Sequence, residues 1–167
     1  MAMTRQTKDV SDGNNATGLS FGQNYLIESG INAGNTITEI SGWLHWDFET
    51  VLLATNLSTW TTAAAYPYNV ALQVGAAGFT PIVPTRANFA NSAFIYLEER
   101  PAATFDAFQW SGTAKLISVP SINFKLEWIG ELLLSANSDL YLTTYAAHQG
   151  TPQLQFQQAG TITLYFE

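Results

Sequence analysis

The chain has 167 residues, of which 47% are hydrophobic and only 11% are charged, and its formal net charge is −7. The charged fraction is less than half of the ~25% usual in soluble domains, which predicts a surface of Thr, Ser, Asn, Gln and Ala and favours proteins that pack against neighbours. Six Lys and Arg residues are too few for the phosphate contacts of a nucleic-acid-binding protein. The absence of cysteine excludes zinc–thiolate sites.

The first twenty residues are polar and show no alternation of apolar side chains. At ~3.3 Å per residue they could reach about 65 Å, far beyond the ~15 Å radius of gyration expected for the whole domain. We therefore predict an extended N-terminal arm at residues 1–20 and one domain at residues 21–167. Thr4, Arg5 and Lys8 are the candidate contacts of this arm with a neighbouring subunit. The alternative is a terminus without fixed structure.

Residues 34–49 form the first strong strand prediction, because apolar side chains occur at every second position. Ile40, Leu44 and Trp46 share one face of this strand. Trp43, His45 and Asp47 share the other, so we expect them to point outward. Gly42 marks a possible bend.

The middle of the chain carries shorter strand signals. Residues 52–65 favour a helical turn, and the strands that follow are predicted at 68–75, 79–83 and 93–100. Pro81 and Pro84 indicate an edge position for the second of these.

The C-terminal half contains the clearest alternation. A strand is predicted at 113–119 and a longer one at 122–134, with a bend or a bulge at Gly130. Residues 139–145 are predicted to be its hairpin partner across a turn at 135–138. Strands at 153–157 and 160–167, separated by a turn near 158–160, complete the domain.

Eight to ten strands without a long helix predict an all-β protein, namely an antiparallel β-sandwich. Long strands joined by long loops favour a jelly roll over an immunoglobulin-like domain. The strand at 160–167 is expected to lie in the core of the sandwich.

The outward group Trp43, His45 and Asp47 is the candidate interface or ligand face. A proton relay or half of a metal site is geometrically possible, but a metal needs three or four ligands, and the second histidine, His148, lies a hundred residues away. We therefore predict no metal site and no cofactor. A subunit contact and a stacking platform for a ligand stay open for Trp43.

Catalysis has no motif in its favour. Carboxylates could form an acid–base pair in a glycosidase, but Glu127 and Glu131 would lie ~13 Å apart on one strand. Asp106 and the pair Glu98 and Glu99 remain as candidates. Their better interpretation is ordinary surface acids, so we predict that the chain is not an enzyme.

Residues 34–42, GNTITEISG, resemble the start of the first long strand in small virion structural proteins of phages and related viruses, which has the form G-x-T-[IV]-x-R-[IV]-x-G. Glu39 stands at the basic position of that pattern. The segment ITLYF at 162–166 is similar to the core strand that ends single-jelly-roll coat proteins. The resemblance concerns the layout of most of the chain.

This resemblance implies a non-enzymatic virion subunit: a capsid, head-decoration or minor capsid protein. Such a subunit would assemble with itself, as a trimer or pentamer, and dock onto other virion proteins. It would be located in the virion, and in the host cytoplasm during assembly. The acidic balance favours an outer or decorating position, without direct contacts to nucleic acid or membrane.

Two other functions stay open. One is a carbohydrate- or receptor-binding β-sandwich domain of a viral fibre or spike that uses Trp43. The other is a carbohydrate-active enzyme that uses Asp106.

Overall fold

In the computed structural model, the residues that are described form strands and no helix. The description covers residues 3–12, 17–18, 20–51, 61–65, 68–85, 91–100, 105–109, 116–147 and 153–167. Within these ranges the all-β prediction is confirmed. In chain order the strands are β1 (Thr4–Asp9), β2 (Thr17–Gly18), β3 (Ser20–Ile31), β4 (Thr36–Val51), β5 (Thr61–Ala65), β6 (Tyr68–Ala76), β7 (Ile95–Arg100), β8 (Phe105–Gln109), β9 (Leu116–Leu133), β10 (Ser138–Ala147) and β11 (Gln153–Phe166).

Four nested antiparallel pairs organise the longer strands. β1 pairs with β11, β3 with β10, β4 with β9, and β6 with β7. The two halves of the chain therefore meet like the arms of one long hairpin. The additional pairs β11–β4 and β10–β6 roll this ribbon into two sheets.

The two sheets give the topology of a jelly roll. Sheet A has the order β1-β11-β4-β9, with β2 beside β11, and sheet B has the order β3-β10-β6-β7. Such a ribbon, folded over into two stacked sheets, is the jelly-roll arrangement. The predicted sandwich and its jelly-roll form are confirmed. β5 and β8 form a separate two-stranded sheet.

The core fills the space between sheets A and B. The indole of Trp46 packs edge-on against Tyr68 and Phe124, with ring centroids 5.8 and 4.8 Å away. Full burial of one large apolar side chain contributes roughly 1.5–3 kcal/mol, so these layers dominate the stability of the fold. The other buried side chains include Ile37, Ile40, Leu44, Leu126, Ile162 and Leu164 from sheet A, and Ile27, Val70, Leu72, Leu140 and Leu142 from sheet B.

The predicted N-terminal arm is extended, but part of it is paired. β1 lies along β11, and the hydroxyls of Thr7 and Thr163 are 3.1 Å apart. Val10 then enters the core, and Asp12 bridges to Gln158. All six residues of β1 are exposed, so the sequence offers no apolar alternation that would reveal this strand. The domain boundary at residue 20 stays a prediction.

Alternation in β4 follows the sequence prediction from Ile40 to Trp46, and the pairing with β9 is irregular at two places, one at each end of this stretch. Leu44 and Trp46 are buried, and Trp43 faces outward. On β9, Ile129 lies opposite Glu39, but the next partner of β4 is Leu132, so the bulge predicted at Gly130 is confirmed.

The strand predicted at residues 79–83 is wrong. This segment has no strand structure and crosses the outer face of sheet B. The amide of Ile82 donates to Oε1 of Gln73 (2.9 Å), and Nε2 of Gln73 donates back to the Ile82 carbonyl (3.0 Å). The side chain of Gln73 thus forms the hydrogen bonds that a neighbouring strand would otherwise form with the backbone of Ile82. Pro81 and Pro84 have no backbone N–H to donate.

The predicted hairpin across residues 135–138 is also wrong. β9 belongs to sheet A, whereas β10 lies in sheet B between β3 and β6. The turn therefore carries the chain from one sheet to the other. Alternation in each strand was correct, but alternation does not say which sheet a strand joins.

Two predicted interruptions are absent from the structure. β9 runs through Pro120, although its pairing with β4 shifts register between Val119 and Ile122. A proline is tolerated there because β9 is at the edge of sheet A. β11 runs through the turn expected at 158–160, because Gln158 points into the core and is hydrogen-bonded there. Of the helical turn predicted at 52–65, residues 61–65 form β5 and residues 52–60 lie outside the described part.

Candidate interaction surface

The outer face of sheet A, turned away from sheet B, is a broad polar surface. Trp43 stands in its middle and is 50% exposed. Its neighbours across the strands are Thr161 of β11 and Lys125 of β9, and Asp9 of β1 continues the same row. Hydroxyl, amide and a few charged side chains therefore surround one exposed indole.

His45 is the centre of a hydrogen-bonded group on this face. Its Nε2 lies 3.0 Å from Oδ1 of Asp47, and its Nδ1 lies 2.6 Å from Oδ1 of Asn123 on β9. Both partner atoms are acceptors, so both contacts are satisfied when the two ring nitrogens carry protons. The predicted outward group of Trp43, His45 and Asp47 thus shares one face; its role stays a prediction.

This geometry favours the charged imidazolium. The hydrogen bond to Asn123 raises the pKa of His45 above its ordinary value of 6.5, and the hydrogen bond and charge of Asp47 raise it further. Partial burial works against this by disfavouring the charged ring. The raised pKa of His45 therefore favours a positive charge beside the carboxylate of Asp47.

A cleft of about 180 Å³ opens next to this group. Ala159 lies opposite His45, and Gln157 lies opposite Asp47 on β11. The far wall is formed by Asp12, whose carboxylate accepts a hydrogen bond from the Tyr25 hydroxyl (3.1 Å). The cleft is lined by Asp12, His45, Asp47, Gln157, Gln158 and Ala159.

A second feature of sheet A is an apolar end patch, which we define as Met3, Ile129 and Leu133. These side chains are 53%, 70% and 67% exposed. Ile129 and Leu133 lie opposite Glu39 and Thr36 of β4, and Sδ of Met3 accepts a hydrogen bond from Thr38 in the same stretch (3.7 Å). The three residues therefore flank one end of β4 from both sides.

The outer face of sheet B is different, because segment 79–85 covers part of it. Asn24 and Gln73 both donate to the carbonyl of Ile82 (3.1 and 3.0 Å). The ring of Phe79 packs edge-on against Tyr141, with centroids 5.5 Å apart. Sheet A is therefore the more open of the two faces in the described chain.

The inside of the sandwich has no room for a ligand at the place where both sheets contribute apolar side chains. The gap between Ile37, Leu72 and Trp128 is too narrow to hold even a water molecule. Among the described residues no group of three or more His, Asp or Glu side chains could hold a metal ion.

Glu98, Glu99 and Glu127, the described carboxylates considered above for catalysis, do not form a pair with one another. Glu98 and Glu99 are neighbours in β7 and so point to opposite faces of sheet B. Glu127 is held loosely by Lys125 at 3.9 Å on the exposed face. Asp106 lies in β8, and its side chain, like His148, lies outside the described part of the chain.

Thr4, Arg5 and Lys8, the candidate arm residues, all lie in β1 and are exposed. They stand opposite Phe166, Tyr165 and Ile162. Whether they contact a neighbouring subunit stays a prediction.

Sequence reasoning missed the end patch and the wall of the cleft. Ile129 and Leu133 occur at outward positions of an otherwise polar strand face, which was the available signal for the patch. Asp12 gave no such signal, because its place depends on the bridge to Gln158, far away in the sequence.

No family model and no curated protein sequence matches the chain. Solved structures are similar at a low level. A structure of the Gx strain of infectious bursal disease virus has a TM-score of 0.40 and 11% identity, covering 99% of this chain and 33% of that chain. The VP2 subviral particle of the same virus has a TM-score of 0.36 and 13% identity, covering 98% and 32%.

A third similar structure is dimeric latent PorU from Porphyromonas gingivalis, with a TM-score of 0.24, 11% identity and coverage of 99% and 12%. The chain thus spans about a third of the length of the viral chains. Similarity of this degree gives no argument about function. The described residues contain no helix long and apolar enough to cross a membrane.

Proposed function

We propose that the chain is a non-enzymatic structural subunit of a virion, which acts by assembling with itself and by docking onto other virion proteins. Jelly-roll sandwiches serve as viral capsid domains, lectins and cupins. The fold therefore narrows the choice but does not decide it. The exposed residues must therefore distinguish between these functions.

The apolar end patch is the observation that carries this proposal. Single exposed apolar residues are common, but several at one end of a sheet favour an interaction site. Met3, Ile129 and Leu133 surround one end of β4, on a protein whose charged fraction is only 11%. A neighbouring subunit that covers this end would remove the patch from water without having to desolvate many charges.

Between the described parts of the two sheets, the apolar space beside Ile37, Leu72 and Trp128 is filled, which speaks against an enzymatic jelly roll with its ligand cavity at this place. The net charge of −7 speaks against contact with packaged nucleic acid and favours an outer or decorating position. We propose a trimer or pentamer, located in the virion, with β1 as a further contact because the edge of a sheet can pair with another chain.

Size-exclusion chromatography with light scattering tests this proposal. The unmodified chain is expected to have a multiple of the 18.3 kDa mass, and the double variant I129E/L133E is expected to have the monomer mass. Val83→Glu, an exposed apolar residue on the side of sheet B, is the matched control and should not change the mass. A strict monomer that also fails to bind particles would contradict the proposal.

A further inference from the structure

Strand β9 presents a free edge along one side of sheet A. Among the described strands it pairs only with β4, because the order β1-β11-β4-β9 ends there. β7 of sheet B comes close to β9 but pairs with β6. In the described chain, the backbone N–H and C=O groups on the free side of β9 are therefore a template for another strand.

Two irregularities set the length of this edge. The pairing of β9 with β4 shifts register beside Pro120 and again at Gly130. Pro120 has no N–H to donate, and a bulge bends the strand and leaves a residue unpaired. A second strand can therefore pair regularly with residues 122–129, where the outward positions are exposed and the inward positions are buried or partly buried.

Lys125 and Glu127 give this edge a charge pattern. Their side chains are 86% and 52% exposed, and Nζ of Lys125 lies 3.9 Å from Oε2 of Glu127, which is a weak contact at an exposed position. In an antiparallel pair of two β9 strands with a twofold axis at Leu126, each Lys125 lies directly opposite Glu127 of the other copy. Opposite charges at such positions stabilise a strand pair. The same axis sets Phe124 opposite Trp128 on the inner face, where both side chains belong to the core or pack against it.

Other registers are less favourable for two copies of β9. An axis at Lys125 or at Glu127 places like charges directly opposite each other, which destabilises a strand pair. An axis at Trp128 places Lys125 opposite Glu131, but that pairing crosses the irregularity at Gly130. The charges and the bulge therefore select the axis at Leu126.

We propose that β9 pairs antiparallel with β9 of a second copy of this chain about a twofold axis at Leu126. This inference rests on the proposed self-assembly and adds to it a contact along the edge of sheet A. A closed ring of three or five subunits has no twofold axis, so the contact joins two rings. One short strand pair is small beside the roughly 1,200–2,000 Å² of a stable interface, so the contact needs the several copies that two rings provide.

Disulfide trapping tests this register in a chain that has no native cysteine. The variants K125C and E127C are purified separately, mixed and oxidised under mild conditions. Directly opposite Cα atoms lie about 4.5–5.5 Å apart. A disulfide can span that distance, so the mixture should give about tenfold more covalent dimer than either variant alone. Within one variant, the two cysteines are offset by two residues, or about 7 Å along the strand. A mixture of K125C with E131C is the matched control and should stay at the level of the single variants.

Charge reversal tests the same contact without cysteine. K125E and E127K each place like charges opposite one another, and each should weaken the association between rings, measured by light scattering, by about tenfold. The double variant K125E/E127K restores opposite charges and should restore the association. E131K changes an exposed residue beyond the bulge and should leave the association unchanged.

The outcomes separate this contact from the proposed function. Rings that form, but give no excess dimer in the mixture of K125C and E127C, overturn the β9 contact alone. Failure of K125E/E127K to recover the association lost in the single variants, or equal trapping in the mixture with E131C, also overturns it. A strict monomer at every concentration overturns both the contact and the proposed function.

Discussion

Trp46 donates a 2.8 Å hydrogen bond from its indole nitrogen to Oε1 of Gln158 inside the sandwich. The amide nitrogen of the same glutamine donates to the carbonyl of Val10. One buried side chain thus joins β4, β11 and the segment that follows β1. It occupies an inward position that alternation would assign to an apolar residue.

Replacing Gln158 with Leu should destabilise the fold. The substitution removes the partner of two buried polar groups, each worth about 1–3 kcal/mol, and the added apolar volume offsets part of that loss. We expect the free energy of unfolding in urea to fall by about 2 kcal/mol. Gln157→Leu, at the preceding and exposed position, should change it by less than about 0.5 kcal/mol; equal effects of the two variants would contradict this role.

Gln73 should control segment 79–85. Its side chain bonds both backbone groups of Ile82 and also donates to Thr143 (2.8 Å). In Gln73→Leu, hydrogen–deuterium exchange in this segment should become much faster, and stability should fall by about 2 kcal/mol. Gln23→Leu, at an exposed position of β3, should leave exchange unchanged. Unchanged protection of the segment in Gln73→Leu would show that other contacts hold it.

Titration of His45 should show a pKa above 6.5, because Asn123 and Asp47 both favour the protonated ring. Since the folded value is the higher one, this group stabilises the protein below about pH 6.5, and the contribution is lost as the pH rises through the folded pKa. Asn123→Ala should lower the measured pKa, and Ser41→Ala on the same face should not. A pKa at or below 6.5 in the unmodified protein would contradict the geometry.

Asp139 should make stability sensitive to acid. Its carboxylate accepts hydrogen bonds from the amides of Gly78 (2.8 Å) and Gly30 (2.9 Å), which lower its pKa below 3.8. Gly78 and Gly30 have φ angles of 85° and 64°, a backbone conformation that other residues rarely adopt. The carboxylate of Asp139 therefore stabilises two turns that depend on glycine. The stabilisation is present above pH 3.8 and is lost as the pH falls through the folded pKa.

Asp139→Asn is therefore expected to lower the urea midpoint at pH 7, and the difference from the unmodified protein should shrink in acid. Glu131→Gln, an exposed carboxylate on β9, is the control and should have little effect at either pH. A difference that is the same at pH 7 and at pH 3 would show that the charge of Asp139 does not matter.

Much of the sandwich was predictable because strand alternation has a period of two. The outward group on β4 followed from that pattern, the jelly-roll class from long strands joined by long loops, and the bulge from a glycine at position 130. Pairing was harder to predict. The alternation of β9 and β10 looks the same whether the two form a hairpin or lie in opposite sheets, and only the packing of both sheets decides it.

The errors at residues 79–83 and 158–160 have a common cause. Gln73 and Gln158 are polar residues at buried positions, and each replaces a backbone or apolar partner that the sequence suggested. Composition alone marks glutamine as a surface or turn residue. The cleft was missed for a similar reason, because Asp12 reaches it only through pairing with a strand late in the chain.

Electron cryomicroscopy of the assembled protein tests most directly whether the chain acts by assembly. A closed oligomer is expected in which a neighbouring subunit covers Met3, Ile129 and Leu133, while the cleft lined by His45 and Asp47 remains open. Particles in which this end of sheet A faces solvent, or a preparation that contains only monomers, would contradict it.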